Sequence, residues 1–290
     1  MKEEGTRKRT QCRASTHLNE RERETRDELY KCLDEDPINA VLMKAFTRKI
    51  EERLRTTSKD IEEEDEEEDA PRRHKGAREE DGSYTGMLEL AKELEAAPNT
   101  RSNTLHVLKS LFPSFLPVLF KRIIAENAPR IAGTMNALAT FFTCQWLMGP
   151  MQVRVKVSGD NYVHLKSKGT TMEDDAFTSS RTEEGKEEDE SKTENLDAIV
   201  FVERCRYLEE SQCVSVCVNT CKRPTQDFFN NVMGVKMTMV PDYSDYSCRF
   251  NFGVSPPEND EDDEALASAP ACFATCSRKA PACVSQCPHV

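Results

Sequence analysis

An α+β fold is expected for this 290-residue chain from three features. Helical periodicity runs through the N-terminal half, short β-branched runs follow residue 150, and cysteines crowd the last third. The expected architecture is a helical N-terminal half packed with a small cysteine-rich α+β C-terminal half. In residues 20–55, Leu29, Cys32, Leu33, Val41, Leu42, Ala45, Phe46, Ile50 and Leu54 recur at intervals near three and four, with Pro37 as an interruption, so a pair of docking helices is predicted. Met87, Leu88, Leu90, Ala91 and Leu94 make a second helical stripe ending near Pro98. Asn99 or Thr100 is placed to cap a further helix through Leu105, Leu108 and Leu111, which Pro113 and Pro117 break or kink.

The stretch from Ile131 to Val153 contains no charged residue, which is the length of a bilayer span. Thr134, Asn136, Thr140, Thr143 and Gln145 dilute it and Gly149-Pro150 ends it, so a buried helix of a soluble domain is favoured. Such a helix lines an apolar cavity or lies at a membrane interface, and Phe141, Phe142, Trp146 and Met148 are its candidate substrate-binding side chains. Alternating valines from Val153 to Leu165 predict one or two strands. Ile199 to Val202 reads as a buried strand, with further strands at Val235 to Val240 and Arg249 to Phe252.

Charge supplies the boundaries. The formal charge of −12 is carried by blocks: nine of ten residues are acidic from Asp60 to Asp69, six of seven from Glu258 to Glu264, and a third block spans Glu173 to Glu194. Blocks of this kind cannot bury apolar surface and are expected to be solvated. The expected organisation is a disordered N-terminus (1–19), docking helices (20–55), an acidic disordered linker (56–83), the helical part of the core domain (84–153), an acidic disordered insertion (166–196) and a cysteine-rich part of the core (197–290). The remaining body is net basic, as suits an anionic membrane surface, an acidic partner or simply a solvated exterior. No nucleic-acid partner is expected, and the pattern leaves oligomeric state open. No apolar signal segment follows Met1, and a plastid transit peptide is not evident, because Glu3 and Glu4 interrupt the opening basic residues.

Nine of the twelve cysteines lie between Cys205 and Cys287. Without a secretory signal, metal or redox use is favoured over a disulfide scaffold. Cys213, Cys217 and Cys221 are spaced i, i+4, i+8 and share one face of a helix, on which the outer pair lies about 12 Å apart. One ion is therefore reached by two of them, with further donors from Cys205, Cys248 or the C-terminus. The alternation Val214, Val216, Val218 also permits a strand. Helix is preferred, because Arg206 to Gln212 is helix-compatible and Pro224 supplies a stop. Near the C-terminus Ala269 to Cys276 recurs eleven residues later as Ala280 to Cys287, each copy holding a Cys-x3-Cys pair. With only five histidines, histidine-rich metal centres are disfavoured and thiolates remain. The spacings match neither a Cys-x2-Cys zinc ribbon nor a common ferredoxin run, and buried hydrophobic cysteines or disulfides are the competing reading. No nucleophile elbow, P-loop or dinucleotide-binding glycine fingerprint is present.

Longer strings carry a resemblance. Thr143 to Pro150, Val202 to Ser211 with Cys213, Cys217 to Gln226 with Phe228-Phe229, then Met233-Gly234, Pro241, Asp245 to Cys248, Phe250 to Gly253 and Pro256-Pro257 resemble the Dwarf-twenty-seven-like β-carotene isomerases of strigolactone biosynthesis. Leu111 to Phe115 extends the match upstream. Two C-terminal cysteine pairs stand where that family has one, Pro281 to Pro288 being the closer, and the acidic insertion is longer than in the family. The resemblance implies an iron-containing plastid (chloroplast) enzyme interconverting all-trans and 9-cis β-carotene, hence an apolar carotenoid substrate and peripheral contact with a plastid membrane. On it, the expected iron ligands are Cys213, Cys217, Cys221, Cys248, Cys283 and Cys287, and the catalytic candidates are Glu203, Cys205 and Glu209. The alternative is a non-catalytic iron or iron-sulfur redox protein on the same scaffold.

Overall fold

The structure is a computed structural model in which residues 20–64, 82–158, 161–168, 170, 196–259 and 262–267 are described. Helices α1 (Glu20–Glu35) and α2 (Pro37–Glu64) are separated by Asp36, whose carboxylate accepts from Ile38 N at 2.9 Å and Asn39 N at 3.0 Å and so caps α2. Pro37 occupies the first turn, where its missing N–H costs nothing. Helix α2 continues to Glu64, into the stretch read as an acidic linker, whose residues 65–81 lie outside the described residues, as do residues 1–19.

Ser83 caps α3 (Tyr84–Ala96) by accepting from Gly86 N, and α3 buries Tyr84, Met87, Leu88, Ala91 and Leu94. The cap expected of Asn99 or Thr100 takes another form at α4 (Thr100–Ser110). Asn99 holds the N-cap position in a left-handed conformation without a side-chain bond, while the Thr100 hydroxyl points back to Glu95 O and Ala97 O. Pro113 lies in the break before α5 (Phe115–Phe120), and Pro117 is tolerated in the first turn of α5, which runs on into a π turn at Lys121–Ala125.

The uncharged run is not one helix. It divides into α6 (Pro129–Thr143), the single turn α7 (Gln145–Met148) and the start of β1 (Met151–Ser158). The division falls at Gly149, whose φ of 87° suits glycine and where a Cβ would meet Tyr30 Cε1 at 3.3 Å.

Strand β1 turns back as β2 (Asn161–Lys166). With β3 (Ala198–Val202), β4 (Met237–Pro241) and β5 (Cys248–Phe252) it forms an antiparallel sheet of order β2-β1-β3-β5-β4. Val153 pairs with Val200, and Val200 with Phe250, which in turn pairs with Met239. These residues are buried in the main core together with Ala132, Ala137 and Phe141 of α6. Helix α6 lies close over β5, a Cβ on Gly133 falling 3.5 Å from Phe252 Cβ.

After β3 comes α8 (Arg206–Ser211), closed by Gln212 in a left-handed conformation. Four segments then follow without interruption: α9 (Val214–Cys217), a π turn (Val218–Lys222), α10 (Arg223–Asp227) and a second π turn (Phe228–Met233). Of the helix expected across Cys213 to Cys221, the part from Val214 on is present, Cys213 being its extended N-cap, and Pro224 does not stop it. The π turn shifts the bonding register so that Arg223 N donates to Val218 O and Pro224 opens α10, where no donor is required. Gly234, at φ 69°, ends the helix. A last turn, α11 (Glu264–Ala267), packs Leu266 into the core. No helix among the described residues is long and apolar enough to cross a membrane.

The N-terminal helices dock through one guanidinium. Arg206 donates from Nη1 and Nη2 to the Asp34 carboxylate at 2.6 and 2.9 Å and from Nε to Glu210 at 2.6 Å. Its plane lies 3.7 Å from the Tyr84 ring centroid and 4.6 Å from that of Tyr30. Planar charge against two aromatic faces makes this a bonded joint between α1, α3 and α8.

Candidate functional site

The sheet, the α9 helix and the π turn after it bring together three buried thiols, Cys205, Cys217 and Cys248, and the half-buried Cys221. Cys205 follows the end of β3 and caps α8, its N–H donating to Tyr246 O at 2.7 Å. Cys248 opens β5 opposite Val202, the last residue of β3. Cys217 ends α9, and Cys221 lies one turn on within the π turn. Cys217 lies near enough to Cys221, Cys205 and Cys248, and Cys248 to Cys205 and Cys221, for their thiolates to repel one another if ionised. Cys213, at the N-cap of α9, is also buried, its carbonyl accepting from Cys217 N at 3.2 Å. All five are free thiols.

Their protonation follows from burial. Loss of hydration disfavours the thiolate, which pushes Cys205 up to about 11 and Cys217, Cys221 and Cys248 above the usual thiol range. Neighbouring thiols raise Cys217 and Cys248 further, and the Lys222 ammonium opposes the rise at both.

Lys222 is fully buried. Its ammonium meets the Asp263 carboxylate and donates to Gln226 Oε1 at 3.3 Å, while Gln226 accepts from Met239 N at 2.8 Å and so ties the helix to β4. Asp263 also accepts from Ala265 N and caps α11. Its burial departs from the solvated acidic block expected at Glu258 to Glu264. Beside it the Tyr243 hydroxyl is buried with no hydrogen-bond partner among the described residues, and Tyr207 and Thr220 share a buried hydroxyl pair at 2.7 Å.

The carboxylates singled out in the sequence are bonded into the frame. Glu203 accepts from Gln152 Nε2 at 2.8 Å, and Glu209 accepts from Arg204 Nε at 2.9 Å and forms an ion pair with Arg26 at 2.8 Å. Of the apolar candidates, Phe141, Trp146 and Met148 are in the main core, Trp146 edge-on to Phe46 at 5.8 Å, whereas Phe142 is 64 % exposed. A cleft of about 990 Å³ is lined by Arg101, Arg223, Gln226, Asp227, Asn230 and Asp263 among others, a polar lining unsuited to a hydrocarbon.

Among the described residues, no three His, Cys, Asp or Glu side chains converge to hold a metal ion. The donor chemistry, soft sulfur in a dry pocket, suits iron, but the described part offers an incomplete set. The further thiols Cys272, Cys276, Cys283 and Cys287 lie outside the described residues. Lys222, Asp263, Gln226 and Tyr243 were not read from the sequence. A lysine beside Cys221 on a cysteine-bearing helix face was the available signal for the first.

Residues 146–261 match the family model described as beta-carotene isomerase D27-like, C-terminal. The chain is 30 % identical over 196 residues to a protein of Arabidopsis thaliana named beta-carotene isomerase D27, chloroplastic, covering 67 % of this chain and 60 % of that one. A protein of the same name from Medicago truncatula is 27 % identical over 199 residues, 68 % of this chain and 64 % of that one. The chain thus spans less than two thirds of the length of each relative. No solved structure matches it.

Proposed function

We propose that this chain, similar to the β-carotene isomerase D27-like family over residues 146–261 and to chloroplastic relatives of that name over two thirds of its own length, is a plastid cis-trans isomerase of carotenoids, interconverting all-trans and 9-cis β-carotene with iron as cofactor. The observation that carries the reading is the group of buried Cys205, Cys217 and Cys248 with half-buried Cys221 inside the matched domain. Cys217, Cys221 and Cys248, with Cys213 and the C-terminal Cys283 and Cys287, are the proposed iron ligands. Iron supplies one-electron chemistry that lowers the π-order of a polyene double bond.

The chain's own groups account for the surroundings. Burial excludes water, so the isomerisation consumes none and a reactive polyene is not hydrated. Cys205 stays protonated at neutral pH, because desolvation outweighs the N–H groups of Tyr207 and Leu208 that favour its thiolate. Lys222 favours negative charge on Cys217 and Cys248, the groups that must lose protons to ligate a metal. Glu209, paired with two arginines, fixes α8 beside the thiols.

The test is to load the purified, reduced protein with iron, incubate it anaerobically with all-trans β-carotene and resolve the isomers by chromatography. Formation of 9-cis product in proportion to iron content is expected. A fully loaded protein that yields none is instead the non-catalytic iron protein of the alternative reading.

A further inference from the structure

Helix α5 has the sequence Phe115-Leu116-Pro117-Val118-Leu119-Phe120, and only Pro117 among these is buried. Phe115 is 66 % exposed, and Ile123 in the following π turn is 60 % exposed. Helix α6, which packs against that turn, keeps Ala132, Ala137 and Phe141 in the core and turns Ile131, Met135 and Phe142 outward. Scattered exposed apolar side chains are ordinary, but two adjoining helices presenting a run of Phe, Leu, Ile and Met form a patch that marks an interaction surface.

Charge selects the partner. Across residues 115–143, which carry the patch, Lys121, Arg122 and Arg130 stand against one acid, Glu126, although the whole chain carries a formal charge of −12. Two copies facing each other through a twofold contact would set cation against cation. An anionic bilayer surface satisfies both parts at once, apolar side chains entering the acyl boundary while cations remain among the headgroups.

We infer that α5, its π turn and the outer face of α6 form a membrane-docking surface that seats the protein on an anionic lipid bilayer without spanning it. The inference extends the proposed function, since a hydrocarbon substrate resides in a bilayer, and it rests on that reading for its purpose alone. The experiment contains no carotenoid, so failure to bind lipid and failure to isomerise are separate results.

The full chain is mixed with vesicles of equal parts phosphatidylcholine and phosphatidylglycerol, and with vesicles of phosphatidylcholine alone, and floated through a density step. Binding to the anionic vesicles is expected, weakened by salt because the charge component is screened. The variant Phe115→Ser, Leu119→Ser, Ile123→Ser changes only exposed positions, so its circular dichroism and melting should be unchanged while its partition falls about tenfold or more. The substitution Arg122→Glu should weaken binding to anionic vesicles only. Ile38→Ser with Val41→Ser, exposed positions of α2, serves as the control and should float as the parent does. Absence of binding by the parent chain overturns the inference, and so does equal flotation of the triple variant. A parent that is dimeric and lipid-free, becoming monomeric in the triple variant, would assign the patch to a second copy instead.

Discussion

The ammonium of Lys222 meets the carboxylate of Asp263 in the protein interior, joining the π turn after α9 to the cap of α11. Removing one partner leaves an uncompensated buried charge, whereas removing both leaves none. Lys222→Met is therefore expected to cost about 3–5 kcal/mol in urea unfolding. The double variant Lys222→Met, Asp263→Leu is expected to recover most of that loss. A double variant no more stable than the single one would show that the pair is not coupled as the geometry requires.

Thiol burial gives the protein an alkaline limit. The folded-state pKa of Cys205 is about 11 against an ordinary 9.0, so between these values the folded protein holds a proton that the unfolded chain has released. The unfolded state binds fewer protons there, and stability falls as pH rises. The contribution is fully present below pH 9 and lost by about pH 11. Urea unfolding of the reduced, metal-free protein across that window should show a decline of about 2–3 kcal/mol from this group. Cys205→Ala should make the decline shallower by that amount, leaving the part due to Cys217, Cys221 and Cys248, and a slope unchanged in that variant would exclude Cys205 as a contributor.

The helices and the sheet were legible because burial imprints a period. Met87, Leu88, Ala91 and Leu94 recur as α3 requires, and Ile199 to Val202 could hardly be other than a central strand. Boundaries were less legible where one residue type serves two geometries. Pro224 reads as a stop, yet a π turn in front of it moves the bonding register and lets the helix continue. Asp263 was lost in its acidic company, since composition averages over neighbours and burial of one carboxylate depends on a lysine 41 residues away. Cys205 and Cys248 stand among the further donors expected for an ion on the helix, but what brings them near each other is the β3–β5 pairing, which no local pattern encodes.

Arg206 joins the N-terminal helices to the matched domain. Its Asp34 pair and its stacking on Tyr30 and Tyr84 have no substitute if the guanidinium is removed. Arg206→Ala is expected to cost about 3 kcal/mol by stranding Asp34 and Glu210 and uncovering the two rings. Limited proteolysis should then cut between α2 and α3 and release the N-terminal helices faster than in the parent. Arg206→Lys, which keeps the charge but loses the planar fork, should lie between the two. Identical proteolysis rates in all three proteins would mean that apolar contacts alone, such as Phe46 on Trp146, hold the helices.

The proposed iron centre predicts a graded set of losses. Cys217 and Cys221 lie one turn apart and share the electrostatic environment of Cys205 and Cys248, so serine at either should lower iron content after reconstitution, with isomerisation falling about 10–100-fold. Cys32→Ser, at an exposed position of α1, should change neither quantity. Lys222→Met belongs to the same series, because loss of its charge disfavours the thiolates of Cys217 and Cys248 and so weakens metal uptake most at low pH. Titrating iron into each reduced variant at several pH values and measuring bound metal by elemental analysis separates these effects from folding, which circular dichroism reports. Full iron retention in both Cys217→Ser and Cys221→Ser would remove this helix from the centre and leave the C-terminal pairs, Cys272 with Cys276 and Cys283 with Cys287, as the donors to be tested.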